Sequence, residues 1–195
     1  MKDRKLTAPE GYDMSRQRMV ALFAAQLDDR SQKLKENLAG LTIEQLQWQP
    51  HPGVNTIGML LAHLAVSEVY WLNVAPAEMR LEPEGDNLIL NTIGIRMDDD
   101  GLPLASDARH SATLRGKSLT DYFGMLDKAR RASHATMQKW NDADLDTAYK
   151  LRDFTVTRAW TVYHILEHTA GHYGQMLLLK HLMGDAGVLK VSDPA

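Results

Sequence analysis

The chain contains no cysteine. That excludes disulfides, thiolate metal sites and a cysteine nucleophile, and it leaves the redox compartment open. Long apolar runs are also missing: no stretch approaches the ~20 uninterrupted apolar residues of a membrane span. The opening segment MKDRKLTAPEGYD has no signal-peptide core. Basic residues are not in excess. With 22 Lys and Arg against 25 Asp and Glu, the formal charge is −3, which gives no electrostatic footprint for nucleic acid or an anionic membrane. There is no P-loop, no dinucleotide fingerprint and no G-x-S-x-G elbow. These absences leave a soluble, cytoplasmic protein as the expectation.

What is present is helical periodicity. The 195 residues suit one domain with a real core, preceded by a loose lead-in over 1–12 and closed by a tail over 184–195. From Asp13 or Ser15 to Gly40, apolar residues including Val20, Phe23, Leu27 and Leu34 recur at threes and fours. Thr42 and Gln45 have the spacing of a capping box, and QWQPHPGV reads as a loop. Asn55 is a suitable cap for a second, strongly apolar helix that ends near Pro76. A third helix is expected from a cap at Ser118 or Thr120 to Trp140, and a fourth from Trp160 to Met183, where Gly184 stops it. A short extended piece is possible at Phe154–Val156. The long stretch 76–117 between helices two and three has weak periodicity and reads as an irregular insertion. Its run Asp98, Asp99, Asp100 and Gly101 does not make a calcium loop, because Arg96 and Asp107 would fall on the first and twelfth ligand positions. A solvated turn is expected there. The architecture that follows is all-α, a four-helix bundle.

Chemistry concentrates in the fourth helix, WTVYHILEHTAGHYGQMLLLKHLM. His164, His168 and His172 recur at steps of four and so climb one face. Two neighbouring imidazoles on such a face can close on one metal ion. Bundles complete such sites from a facing helix, and His63, within the apolar second helix, is the natural third ligand. A buried histidine is more often a hydrogen-bonded core residue, and histidines are common on solvated faces. The combination, more than any one spacing, points to a metal. Glu68 and Glu167 neighbour these histidines in sequence but point about 100° or more away on their helices. Solvated or supporting roles are expected of them.

These residues also carry a resemblance. NTIGMLLAHLAVSEVYW resembles the helix-two signature of the DinB-like family of bacterial metal-binding four-helix bundles, which includes the YfiT-type proteins assigned as metal-dependent hydrolases. HILEHTAGHYGQ is similar to the family's H-x-x-x-H-x-x-x-H-x-G-Q ending, and LTIEQLQWQPHPGVNT resembles its approach to helix two. The resemblance covers most of the bundle and is weakest over 76–117. It implies a metal triad of His63, His168 and His172. His164 then supports the site by bonding to a carboxylate or backbone carbonyl, and Gln175 hydrogen-bonds near the metal. Tyr173 stands where many members carry arginine. Gly171 and Gly174, costly inside a helix, suggest close helix approach or space kept beside the metal.

The activity implied is broad: a divalent ion, zinc or nickel, serving a hydrolase or a transferase that uses a low-molecular-weight thiol, on a small-molecule substrate. The alternative is a non-enzymatic, stress-related metal-binding homodimer, with Tyr70, Trp71 or Trp160 at its interface. A purely structural role for the histidines is the third reading.

Overall fold

The computed structural model describes residues 5–79, 81–151 and 153–189. Among them are six α-helices: α1 (Arg18–Leu38), α2 (Ile43–Leu46), α3 (Ile57–Val69), α4 (Asp86–Ile93), α5 (Leu119–Met137) and α6 (Arg158–Asp185). One antiparallel hairpin, β1 (Ala148–Leu151) with β2 (Phe154–Thr157), precedes α6. The chain is mostly helical, as its periodicity requires.

Local chemistry sets the helix starts. Thr42 and Gln45 form the expected capping box at α2. Ser118 caps α5, accepting from the Asp121 N–H while the Asp121 carboxylate accepts from the Ser118 N–H. At α3 the cap is Thr56, one residue beyond Asn55, its hydroxyl accepting from the Met59 N–H at 3.1 Å. Thr157 does the same for α6. Helix α1 begins at Arg18, later than expected, and α5, the third expected helix, ends at Met137, short of Trp140.

Helix α3 is the centre of the molecule. Every one of its residues except His63 is buried, and it packs against both α5 and α6, while α1 packs on those same two helices. A helix apolar all round belongs inside a core. The stretch Ile57–Ala77 is long and apolar enough to cross a membrane by composition, but 78% of its most apolar window is buried within the protein. Core packing accounts for its hydropathy. Its approach to α5 is close: a Cβ on Gly58 would lie 2.6 Å from the Tyr122 hydroxyl.

One buried charge cluster ties three helices together. Arg130 of α5 donates to both carboxylate oxygens of Glu68 on α3, at 2.7 and 2.9 Å, and to Asp28 of α1 at 3.1 Å. Glu68 is therefore committed to an ion pair, not solvated as its sequence position suggests.

The expected irregular insertion is more ordered than its weak periodicity implies. It contains α4 and single 3₁₀ turns at Met97–Asp100 and Ala112–Leu114. Ile89, Ile93, Ile95 and Leu114 are buried in the main core. Four well-spaced apolar anchors suffice to seat a segment whose pattern is too short to register as amphipathic. Beyond Val69, α3 widens into a π-helical turn, Tyr70–Val74, before Pro76 ends it in a 3₁₀ turn. Such turns are frequent at functional sites.

Candidate metal centre

The exception in α3, His63, faces α6. Its Nε2 lies 3.1 Å from Nε2 of His168, which lies 3.0 Å from Nε2 of His172. One nitrogen from each of the three rings falls within 4.8 Å of the others. The helical step of four aligns His168 and His172, and the packing of α3 on α6 brings in His63.

The outer nitrogens decide what the inner ones can do. Asp100 lies 2.8 Å from Nδ1 of His63 and is almost wholly buried. A carboxylate only accepts, so Nδ1 of His63 carries the proton and its Nε2 is left with a lone pair. The other Asp100 oxygen accepts from the Leu102 N–H at 2.9 Å, which holds the carboxylate in place. Gln175 Oε1 accepts from Nδ1 of His172 at 2.8 Å, freeing that ring's Nε2 as well. Two lone pairs thus point at His168 from opposite partners. His168 can donate from Nε2 to only one of them, and its buried Nδ1 has no hydrogen-bond partner among the described residues.

The electrostatics agree. Burial, reinforced by the imidazoles of His172, His63 and His164, pushes His168 down from 6.5 to about 3. Burial also lowers His172. These rings stay neutral at physiological pH, the form that binds metal. Nitrogens sharing one tetrahedral zinc at about 2.0–2.1 Å stand roughly 3.3–3.4 Å apart, close to the 3.1 and 3.0 Å that separate His168 from His63 and from His172. Three converging imidazole nitrogens, two of them turned inward by the outer partners Asp100 and Gln175, fit a divalent cation better than they fit one another.

His164 lies differently from its expected place. Its ring stacks on Trp160 (centroids 4.8 Å apart, 7° between planes) and meets the edge of Trp71 at 4.8 Å. Its Nδ1 is 3.7 Å from the Glu167 carboxylate, too long for a hydrogen bond. It packs beside His168, at 5.8 Å between centroids. Gly171 and Gly174 are exposed, and a Cβ on either would meet nothing within 4 Å. Neither marks a close helix approach.

Asp100 is the residue that sequence reasoning missed. In the Asp98–Asp100 run, Asp98 is exposed and Asp99 caps its own turn through the Arg96 N–H. Only the third aspartate turns inward. Its place within an acidic run resembles a solvated loop, and nothing local distinguishes it.

A cleft of about 290 Å³ opens onto His63 and His168. The π-helical turn contributes Tyr70 and Trp71, the 3₁₀ turn contributes Met97 and Asp98, and the hairpin contributes Leu151 and Phe154. The segment 76–117 thus supplies both a wall of the cleft and the partner of a histidine. Ser67, one turn beyond His63, places its hydroxyl 3.4 Å from Nε2 of that ring.

Fold and site together define a mostly helical protein with a three-histidine cluster suited to a divalent metal ion. The chain belongs to the DinB superfamily, whose family model matches residues 26–176. It is similar to a solved structure of a conserved protein from Enterococcus faecalis, with TM-score 0.61 and 15% identity over 83% of this chain and 94% of that one. A DinB-like protein from Bacillus cereus is also similar, with TM-score 0.50 and 20% identity over 89% and 96% of the two chains. At these identities the likeness is one of fold. No curated protein matches the chain.

Proposed function

We propose that this protein is a metal-dependent enzyme of the four-helix-bundle type, acting on a small molecule as a hydrolase or a thiol-dependent transferase. His63, His168 and His172 hold one divalent ion, zinc or nickel. The observation that carries this reading is the pairing of His63 with buried Asp100 and of His172 with Gln175, which leaves the Nε2 of both rings facing Nε2 of His168. A carboxylate behind a ligating histidine is the usual device for fixing its tautomer and raising its basicity.

A divalent ion held there would supply Lewis acidity and favour the deprotonated form of water or a thiol near neutral pH. The chain's own groups do the rest. Asp100 and Gln175 orient the two outer imidazoles. The Ser67 hydroxyl, on the cleft wall beside His63, offers a hydrogen bond to a polar group of the substrate. The apolar walls hold the substrate body and limit water.

Purified without a histidine tag, the protein is expected to carry one divalent ion per chain. Turnover of an ester, amide or thiol-transfer substrate should disappear in His168→Ala while the helical circular dichroism persists. Metal bound without turnover of any such substrate would instead favour the non-enzymatic homodimeric reading.

A further inference from the structure

We propose that the outward stripe of α6 is the seam of a symmetric homodimer, in which the α6 helices of two copies cross antiparallel at Gly174. The metal centre plays no part in this. His168 and His172 leave the helix about 120° and 160° round from Gly174, so a partner seated on the stripe does not stand on the histidines.

On either side of Gly174, the residues three, four, seven and eleven positions away lie within about 60° of it round the helix. Every one of them is exposed. A Cβ on Gly171 or Gly174 would meet nothing within 4 Å, so the middle of the stripe is flat. A lone exposed leucine is ordinary. Leu177 and Leu178, 38% and 58% exposed, stand together beside that flat stretch, and the order of residues along the stripe is self-complementary.

In a twofold contact, residue i meets j and j meets i. For antiparallel helices crossing at Gly174, a position before the crossing faces the position equally far after it on the other copy. Three residues out, Gly171 faces Leu177 of the partner subunit; four out, Ala170 faces Leu178 of the partner subunit. Each leucine thus lies over a residue with little or no side chain. Seven out, the Glu167 carboxylate faces the imidazole of His181 of the partner subunit. Eleven out, the Tyr163 hydroxyl faces the carboxylate of Asp185 of the partner subunit. Within one chain His181 and Asp185 stand 3.8 Å apart, too far for a hydrogen bond, so both can turn to a partner. Other registers lose this match. A crossing at Gly171 sets Leu178 against His164 and Glu167 against Gln175, and a parallel pairing sets Glu167 against its own copy. The stripe is about 33 Å long, and a single helix pair is a small interface, so the dissociation constant should be on the order of 10 µM.

The absence of cysteine allows a direct test of the register. Under mild oxidation with diamide, Gly174→Cys should give a disulfide-linked dimer, because the two copies of position 174 meet at the crossing and a disulfide needs Cα atoms within about 7 Å. Ala170→Cys and Leu178→Cys should each crosslink poorly alone and well when mixed, since a position four from the crossing lies about 12 Å along the axis from its own copy. Sedimentation velocity of untagged full-length protein, zinc-loaded and chelator-treated, reads the association itself. Wild type should pass from monomer to dimer between about 1 and 200 µM. Gly174→Arg should weaken the dimer at least about tenfold with helicity retained. Glu167→Lys should weaken it about fivefold, and adding His181→Glu should restore it. Zinc content of the same samples reports on the metal-centre reading alone. Wild type monomeric throughout that range, a dimer that Gly174→Arg leaves intact, or Ala170→Cys crosslinking with itself as readily as with Leu178→Cys, would overturn the proposal.

Discussion

Asp100 accepts a hydrogen bond from Nδ1 of His63 at 2.8 Å, across 37 residues of sequence and from a different element. That one contact couples the segment between α3 and α5 to the three-histidine cluster. Asp100→Asn keeps the volume and an acceptor but removes the charge. It is expected to lower zinc affinity by about 10–100-fold, read by competition with a chromophoric chelator. Gln175→Ala, on an exposed and neutral partner of His172, should cost less, about threefold to tenfold. Equal effects would show that the buried carboxylate is not special.

The metal-free protein should lose stability in acid through His168. Its folded value, about 3, lies below the ordinary 6.5, so the unfolded chain binds a proton that the folded one refuses. Stability is then insensitive to this group above pH 6.5, falls as pH drops below it, and continues falling towards pH 3. His172, shifted in the same direction, adds to the slope. Urea titrations of metal-free protein between pH 7.5 and 4.5 should show the midpoint falling, and His168→Ala should flatten that dependence.

The Arg130–Glu68 pair predicts a different kind of variant. Both side chains are nearly buried, with Asp28 as the third member. Arg130→Ala strands the Glu68 carboxylate and should destabilise by about 3–5 kcal/mol. The double replacement Arg130→Met with Glu68→Leu should recover much of that loss, because apolar groups of similar volume need no partner. Chemical denaturation measures both.

Two glycines make opposite predictions. Gly58→Ala drives a methyl into the Tyr122 ring and hydroxyl and should cost about 1–3 kcal/mol. Gly174→Ala meets open space and should gain up to about 1 kcal/mol from helix propensity, with zinc affinity unchanged. Thermal melts of the two variants separate the cases.

The contrast between these residues shows what was legible in the sequence. Spacing put His164, His168 and His172 on one face, because a helix converts a step of four into a shared face, and the family resemblance singled out His168 and His172. His63 stood out as a polar residue in an otherwise apolar helix, and the caps at Thr42 and Ser118 are local chemistry. Residues whose roles depend on distant partners could not be read that way. Asp100 and Glu68 are acidic residues that look solvated until Leu102 and His63, or Arg130, are brought to them. Helix α4 and strand β1 are too short to carry a period, although Phe154–Val156 of β2 reads as extended, and the π-helical turn leaves no mark on the apolar pattern of α3. Gly174 matched a family motif, yet the space around it is empty.

The central claim is that one divalent ion sits between α3 and α6, held by three histidines. Zinc binding to untagged protein, with His63→Ala beside the wild type, tests it most directly. One ion per chain and a loss of at least about a hundredfold in affinity for His63→Ala, with helicity retained, is the predicted result. Zinc bound equally well by both proteins, or by neither, would contradict it.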